Sequence, residues 1–309
     1  MSSYDDDTLP LQPPIRLPGD ATLAAAVRAA PLAEELKPEG DDSEVLAAWA
    51  GHCRDLLAAD GTLLLELVRM FLTREPHQGE VPETLTGLGL VRQEEPYTLS
   101  WLGLWVARLV VAATTGQEVP VMGSFADADA GTLLHGLRSY PEAERDEELA
   151  GWLKGRDDGD AVAEIAAALA TVSPLSRAIG IELLTTQFGD EGRLALSRQL
   201  EKRKLGAVIA ARTGRTDRQP APDEIAWVLV DMAAALLEFG DQPGQVIESI
   251  ALGMDADEQA GTIPILAFGD HPWTGQVLRL FIDHHPDERV AAAARKALRR
   301  LRGLADVRG

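Results

Sequence analysis

Along most of this chain apolar residues recur at helical spacing. In GTLLLELVRMFLTREP, residues 61–76, a stripe of Leu64, Leu65, Leu67, Val68 and Phe71 follows the i, i+3, i+4 rule of an amphipathic helix. DATLAAAVRAA (20–30) and SEVLAAWAGHCRDLLAAD (43–60) read the same way, with Asp20 and Ser43 as expected N-caps and a stop at KPEGDD. Beyond residue 128 the pattern is helical almost without interruption. Ten segments are expected as helices: 130–140, 142–155, 159–172, 174–189, 191–214, 222–240, 242–253, 257–269, 271–285 and 288–303. Alternation of period two, the strand signal, is scarce. Ala and Leu dominate the periodic positions, and both lose little side-chain freedom in a helix.

Residues 81–115 break the pattern. A short helix at 82–87 leads to Leu88-Gly89-Leu90-Val91, a polar turn at Gln93-Glu94-Glu95-Pro96, and a brief second strand, Tyr97-Thr98-Leu99. Ser100 is then placed to cap a long helix whose core face is Leu102, Trp105, Val106, Leu109 and Val110. The LGLV and YTLSWLG runs resemble the back half of a winged-helix domain. That resemblance implies DNA reading by the 82–87 helix, yet this helix holds Glu83 and no base, and the wing tip is Glu94-Glu95. Carboxylates there would face phosphates, so a packing or docking module is expected instead. Residues 116–128 read as a linker, and the proline-marked residues 1–19 as an extended or disordered lead.

Three helix junctions share one tripeptide: Phe188-Gly189-Asp190, Phe239-Gly240-Asp241 and Phe268-Gly269-Asp270. The expected logic is an aromatic packing the last turn, a glycine in the left-handed C′ position, and an aspartate accepting from the first amides of the next helix. Helical hairpins joined in series resemble HEAT and armadillo repeats over residues 129–303. The resemblance implies a solenoid with a long concave binding surface. The joining of a winged unit to such an array, ending in an HPD…ARKAL stretch, is also similar to a group of Ala- and Leu-rich actinobacterial proteins, a likeness that implies no activity. The last segment, HHPDERVAAAARKALRRLRG (284–303), reads as the terminal capping repeat. Its alanines permit close approach, Arg295, Lys296, Arg299, Arg300 and Arg302 gather toward the negative helix end, and Gly303 is the expected stop.

Charge and chemistry narrow the picture further. A formal net charge of -20 opposes broad nucleic-acid binding. Cys53 is the lone cysteine, which excludes an intrachain disulfide and a thiolate metal cluster and suggests a small core residue. The first residues lack a basic n-region and an apolar h-region, and WLGLWVARLVVAATTG is short for a membrane span and holds Arg108, so a soluble cytoplasmic protein is expected. No phosphate-cradling loop, H-E-x-x-H or G-x-S-x-G occurs. His271, His284 and His285 cluster with Asp270, Asp283 and Asp287 but read as capping or surface features, so no metal and no cofactor are expected. The acidic runs at Asp5-Asp6-Asp7, Asp157–Asp160 and Asp255–Glu258 read as solvated loops or helix starts. Lys202, Arg203 and Lys204, with Arg212, Arg215 and Arg218, make the one basic concentration before the last helix.

The expectation is therefore a mainly α protein. A small winged-helix-like unit (20–115) precedes HEAT-like helical repeats (129–309), acting without enzymatic chemistry as a scaffold or adaptor for another protein. Candidate contact residues are Trp152 and Trp273 at the joints, for both of which core packing is the other reading, and Lys202, Arg203 and Lys204. The alternatives are a DNA-associated regulator using the winged unit, and an enzyme with its site in the concave face.

Overall fold

A computed structural model describes residues 12–92, 94–215, 219–251 and 253–308, with side chains described as far as Gly303. Asp5-Asp6-Asp7, Gln93 and Arg218 lie outside them. Seventeen α-helices and no strands are found among the described residues. The chain divides into two compact units, residues 1–124 and 125–309.

Unit 1 holds α1 (Asp20–Ala29), α2 (Ala33–Leu36), α3 (Asp42–Ala59), α4 (Gly61–Thr73), α5 (Glu83–Gly87) and α6 (Trp101–Thr115). Its core gathers Trp49, Leu67, Met70, Phe71, Leu85, Leu88, Leu90 and Val106. The expected two-stranded wing reduces to one antiparallel bridge, Val91 to Leu99. Arg92 N–H donates to Thr98 O and Ser100 N–H to Leu90 O, both at 2.9 Å. The pairing ends there because the following residues are taken into α6. Ser100 caps that helix as expected, accepting from Gly103 N–H at 3.0 Å while its hydroxyl donates to Gly89 O. A Cβ at Gly103 would stand 2.0 Å from Leu90 O, so the hairpin rests directly on the helix.

Several local expectations need correction. The cap of α3 is Asp41, which forms a reciprocal capping box with Glu44, and Ser43 is already helical. The cap of α1 is Gly19, one residue before Asp20. The buried stripe of α4 is Leu63, Leu67, Met70 and Phe71, while Leu65 is 72 % exposed. The lead is anchored at Ile15, which is buried and exchanges 2.9 Å hydrogen bonds with Pro120 O and Met122 N–H. That pairing, and the bond from Arg108 Nε–H to Val119 O, absorb the first part of the expected linker into unit 1.

Cys53 is fully buried, and that burial pushes its thiol up to about 12. The thiolate is the reactive form. Maleimide labelling at neutral pH is therefore expected only as fast as unit 1 opens, with full labelling in denaturant. Rapid labelling of the native protein would place Cys53 at the surface instead.

Unit 2 runs α7 (Ala130–Gly136), a short 3-10 turn (Leu137–Ser139), α8 (Glu142–Leu153), α9 (Asp158–Ala168), α10 (Pro174–Thr186), α11 (Gly189–Gln199) and α12 (Arg203–Arg212). It continues with α13 (Pro222–Phe239), α14 (Pro243–Ala251), α15 (Ala256–Leu266), α16 (Thr274–His284) and α17 (Glu288–Arg308). The principal helix contacts join elements no more than three places apart in chain order. The expected single helix over 191–214 is two, α11 and α12, interrupted at residues 200–202. A Cβ at Gly206 would meet Leu200 O at 2.2 Å across that corner. At the other end α17 runs through Gly303 to Arg308, so Gly303 is not a stop.

The three shared joints have three geometries. Gly240 takes the left-handed C-cap of α13 at φ 98°, and Gly189 has φ 52° as the first residue of α11. Gly269 has ordinary φ and is instead a close-approach glycine: a Cβ there would lie 3.4 Å from the Ala226 Cβ. Neither Asp190 nor Asp270 caps the next helix. Asp190 binds Arg193, Asp270 pairs with Lys204, and α16 opens on Trp273 without a side-chain cap. Phe239 and Phe268 point outward, 58 % and 51 % exposed.

Candidate functional site

In unit 2 the loop between α15 and α16 carries Phe268, Gly269, Asp270, His271 and Trp273, and it is held from beneath by buried charge. Asp231 sits in α13 within WVLVDMAAALL and is completely buried. Its Oδ1 accepts from Arg177 of α10, a residue only 7 % exposed, and faces His271 Nε2 at 3.4 Å. His271 Nδ1 accepts from Trp273 N–H at 3.1 Å, which assigns the ring proton to Nε2 and directs it at Asp231. The remaining Arg177 donors reach Leu169 O at 2.8 Å and Val172 O at 2.9 Å. One carboxylate thus joins α10, α13 and the loop.

Around that anchor the loop is packed on its outer side. Trp227 meets the His271 ring edge-on at 4.4 Å between centroids, and Lys204 Nζ lies 4.3 Å from the Trp227 ring centre. Lys204 also pairs with Asp270. Gly269 fits against Ala226, and the neighbouring Ile225 is 38 % exposed. Phe268 stands outward with the Arg300 guanidinium of α17 4.3 Å from its ring centre. The result is an exposed aromatic with a cation on its face, on a loop whose backbone cannot shift without breaking the buried hydrogen bond from His271 to Asp231.

The residues singled out from sequence fare differently. Trp152 is fully buried in α8, its Nε1–H donating to Ala128 O at 2.8 Å and Arg156 4.3 Å from its ring. It is a core side chain. Trp273 is half-buried against the apolar core of the last helices. Lys202 is exposed at the head of α12. Arg203 is engaged by Asp223 at 2.9 Å and Glu224 at 3.6 Å, and Lys204 by Asp270 and Trp227. These pairings leave little of a basic strip.

The histidines are placed as local fastenings. His285 Nδ1 accepts from Asp287 N–H at 3.0 Å and Nε2 faces Gln259 at 2.9 Å, while His271 serves Asp231. No three His, Cys, Asp or Glu side chains converge as a metal site among the described residues. The acidic runs serve helix starts: Asp157 caps α9 and Asp255 caps α15 with Glu258. In unit 1 a cleft of ≈ 170 Å³ lies between α3, α4 and α6. Its lining is apolar (Ala50, Leu57, Leu64, Val106, Leu109) apart from Arg54 and Thr114. No helix of the described residues is long and apolar enough to cross a membrane.

Sequence reasoning missed Phe268, Arg300, Arg177 and Asp231 as a group. A lone acid inside an apolar helix, at a phase shared with Ala234 and Ala235, was the available signal for Asp231. No protein family, no curated protein and no solved structure matches the chain.

Proposed function

We propose that this chain is a non-enzymatic interaction protein: a HEAT-like helical array preceded by a winged-helix-like unit, binding another protein through the Phe268 face of unit 2. The observation that carries the reading is Phe268 itself, half exposed, backed by Arg300, and seated on a loop fastened by His271 and Asp231. Interfaces draw most of their binding energy from a few rigid aromatic and arginine anchors, because these bury large area at little cost in conformational entropy. Serial packing of near neighbours supports the solenoid part of the reading, since each repeat then leaves one side open.

The test is photocrosslinking in the producing cell with a benzophenone amino acid in place of Phe268. Leu194, 54 % exposed on α11, is the comparison position. A discrete adduct with a second protein is expected from position 268 and not from 194. The reading fails if position 268 gives no adduct, or if both positions give the same ones.

A further inference from the structure

We infer that the outer face of α17 is a docking surface for an acidic peptide segment that also carries an apolar side chain. The inference rests on the interaction reading above and specifies its partner. Residues 289–305 hold six of the chain's 29 cations (Arg289, Arg295, Lys296, Arg299, Arg300 and Arg302) and no carboxylate, in a chain of formal net charge -20. Two of the six are committed. Arg289 binds Asp287, whose carboxyl the hydrogen bond from Arg289 holds down to about 2, and also Asp257; Arg295 pairs with Glu288. Arg300 covers Phe268. Lys296, Arg299 and Arg302 form no ion pair with the described side chains, and Lys296, Arg299, Arg300 and Arg302 are all exposed.

The helix dipole does not account for them. Its influence is confined to the last turn, and α17 continues to Arg308, so Lys296, Arg299 and Arg300 stand two or more turns from the end. Nor do Lys296, Arg299 and Arg300 stabilise α17 by i, i+4 pairs, since no acid stands three or four residues from any of them. Clustered like charges on one helix instead repel each other, a cost that an anionic partner removes.

Size and surroundings select the partner. From Lys296 to Arg302 the face spans about 9 Å, roughly one Debye length at physiological salt. A nucleic acid carries charge continuously, about one per 1.7 Å of duplex, and would run off this face onto an acidic protein. Three or four carboxylates in a short segment match the face in length. Phe268 on its border supplies the contact for one apolar side chain.

The probes are fluorescein-labelled (Glu-Glu-Leu)4, an all-glutamate peptide of the same length, (Lys-Lys-Leu)4 and a single-stranded oligonucleotide of matching length, followed by anisotropy on the full chain at 50 and 200 mM salt. (Glu-Glu-Leu)4 should bind best and more weakly at higher salt. The triple variant Lys296→Glu, Arg299→Glu, Arg302→Glu should lose at least tenfold in affinity, and Phe268→Ala should lower binding of (Glu-Glu-Leu)4 more than of the all-glutamate peptide. A variant with the same net charge change placed elsewhere, Lys154→Glu, Arg193→Glu, Arg198→Glu, should change affinity less than threefold; circular dichroism checks that both triples fold. The inference is overturned if neither acidic peptide binds, if the two triple variants weaken binding equally, or if the oligonucleotide binds more tightly than (Glu-Glu-Leu)4. A persisting adduct at position 268 beside such an outcome leaves the interaction reading standing and removes only the acidic partner; loss of both removes both.

Discussion

Asp231→Ala should destabilise unit 2 by about 3–5 kcal/mol, the usual cost of stranding one member of a buried ion pair. Arg177, itself buried, would keep its charge and lose its carboxylate partner, with two backbone carbonyls left as acceptors. His271 would lose its Nε2 acceptor in the same step. Asp231→Asn keeps the shape and removes the charge, so it should fall between. The double variant Arg177→Met, Asp231→Leu removes both charges together and should recover most of the loss, because the desolvation cost disappears with the attraction. Urea unfolding followed by far-ultraviolet circular dichroism measures all three. A midpoint lower by about 1 M or more is expected for Asp231→Ala, given ordinary denaturant slopes. A shift worth less than about 1 kcal/mol would mean that Arg177 finds other solvation and that the pair does not hold the loop.

The pair is not fully satisfied even in the native chain: Asp231 Oδ2 is buried without a hydrogen-bond partner, and so is Thr274 Oγ1 at the start of α16. An arrangement that leaves such atoms unpaired is a poor source of stability. It does fix geometry. Arg177 and Asp231 are 54 residues apart, and the bond fits only one register of α10 against α13. Glu238 repeats the device at the far end of α13, accepting from Ser173 Oγ–H at 2.7 Å and Leu175 N–H at 3.1 Å at the start of α10. With α13 pinned to the start of α10 at these two points, the α15–α16 loop meets a scaffold of set spacing, and Phe268 is presented at one angle.

The helices themselves were legible because their signal is local. A stripe such as Val277, Leu278 and Phe281 announces its own burial, and Asp129, Asp157 and Ser173 stand just before runs that α7, α9 and α10 occupy. Caps were misplaced where two acceptors competed within a few residues. Asp41 won over Ser43 because Glu44 could close the box back onto its amide. The repeated Phe-Gly-Asp suggests one motif with one meaning, yet the tripeptide specifies only that a corner is permitted. Whether the glycine turns left-handed or makes room for Ala226 is decided by a helix far away in the chain. The candidate site was illegible for the same reason. Its parts come from α10, α13, the α15–α16 loop and α17, and no periodicity links them.

Trp152 shows how large that gap can be at one residue. Trp152→Ala should cost about 3–5 kcal/mol, the range for removing a buried large aromatic. The ring is fully enclosed, its Nε1–H donates to Ala128 O, and Arg156 lies on its face while donating to the same carbonyl at 2.9 Å. Those bonds tie residues 126–128 to α8, so the truncation opens a cavity and frees a length of backbone together. Trp152→Phe retains most of the volume and loses the Nε1–H bond, which should reduce the loss to about 1–2 kcal/mol. Trp273→Ala, at a half-buried ring, should cost less than Trp152→Ala. The same urea titration separates the three. If Trp152→Ala unfolds with the midpoint of the unaltered chain, the ring is not in the core and the loop before α7 is held by something else. If instead it unfolds early while Phe268→Ala does not, the two aromatics divide cleanly: one inside, fastening the first helices of unit 2, and one outside, facing solvent.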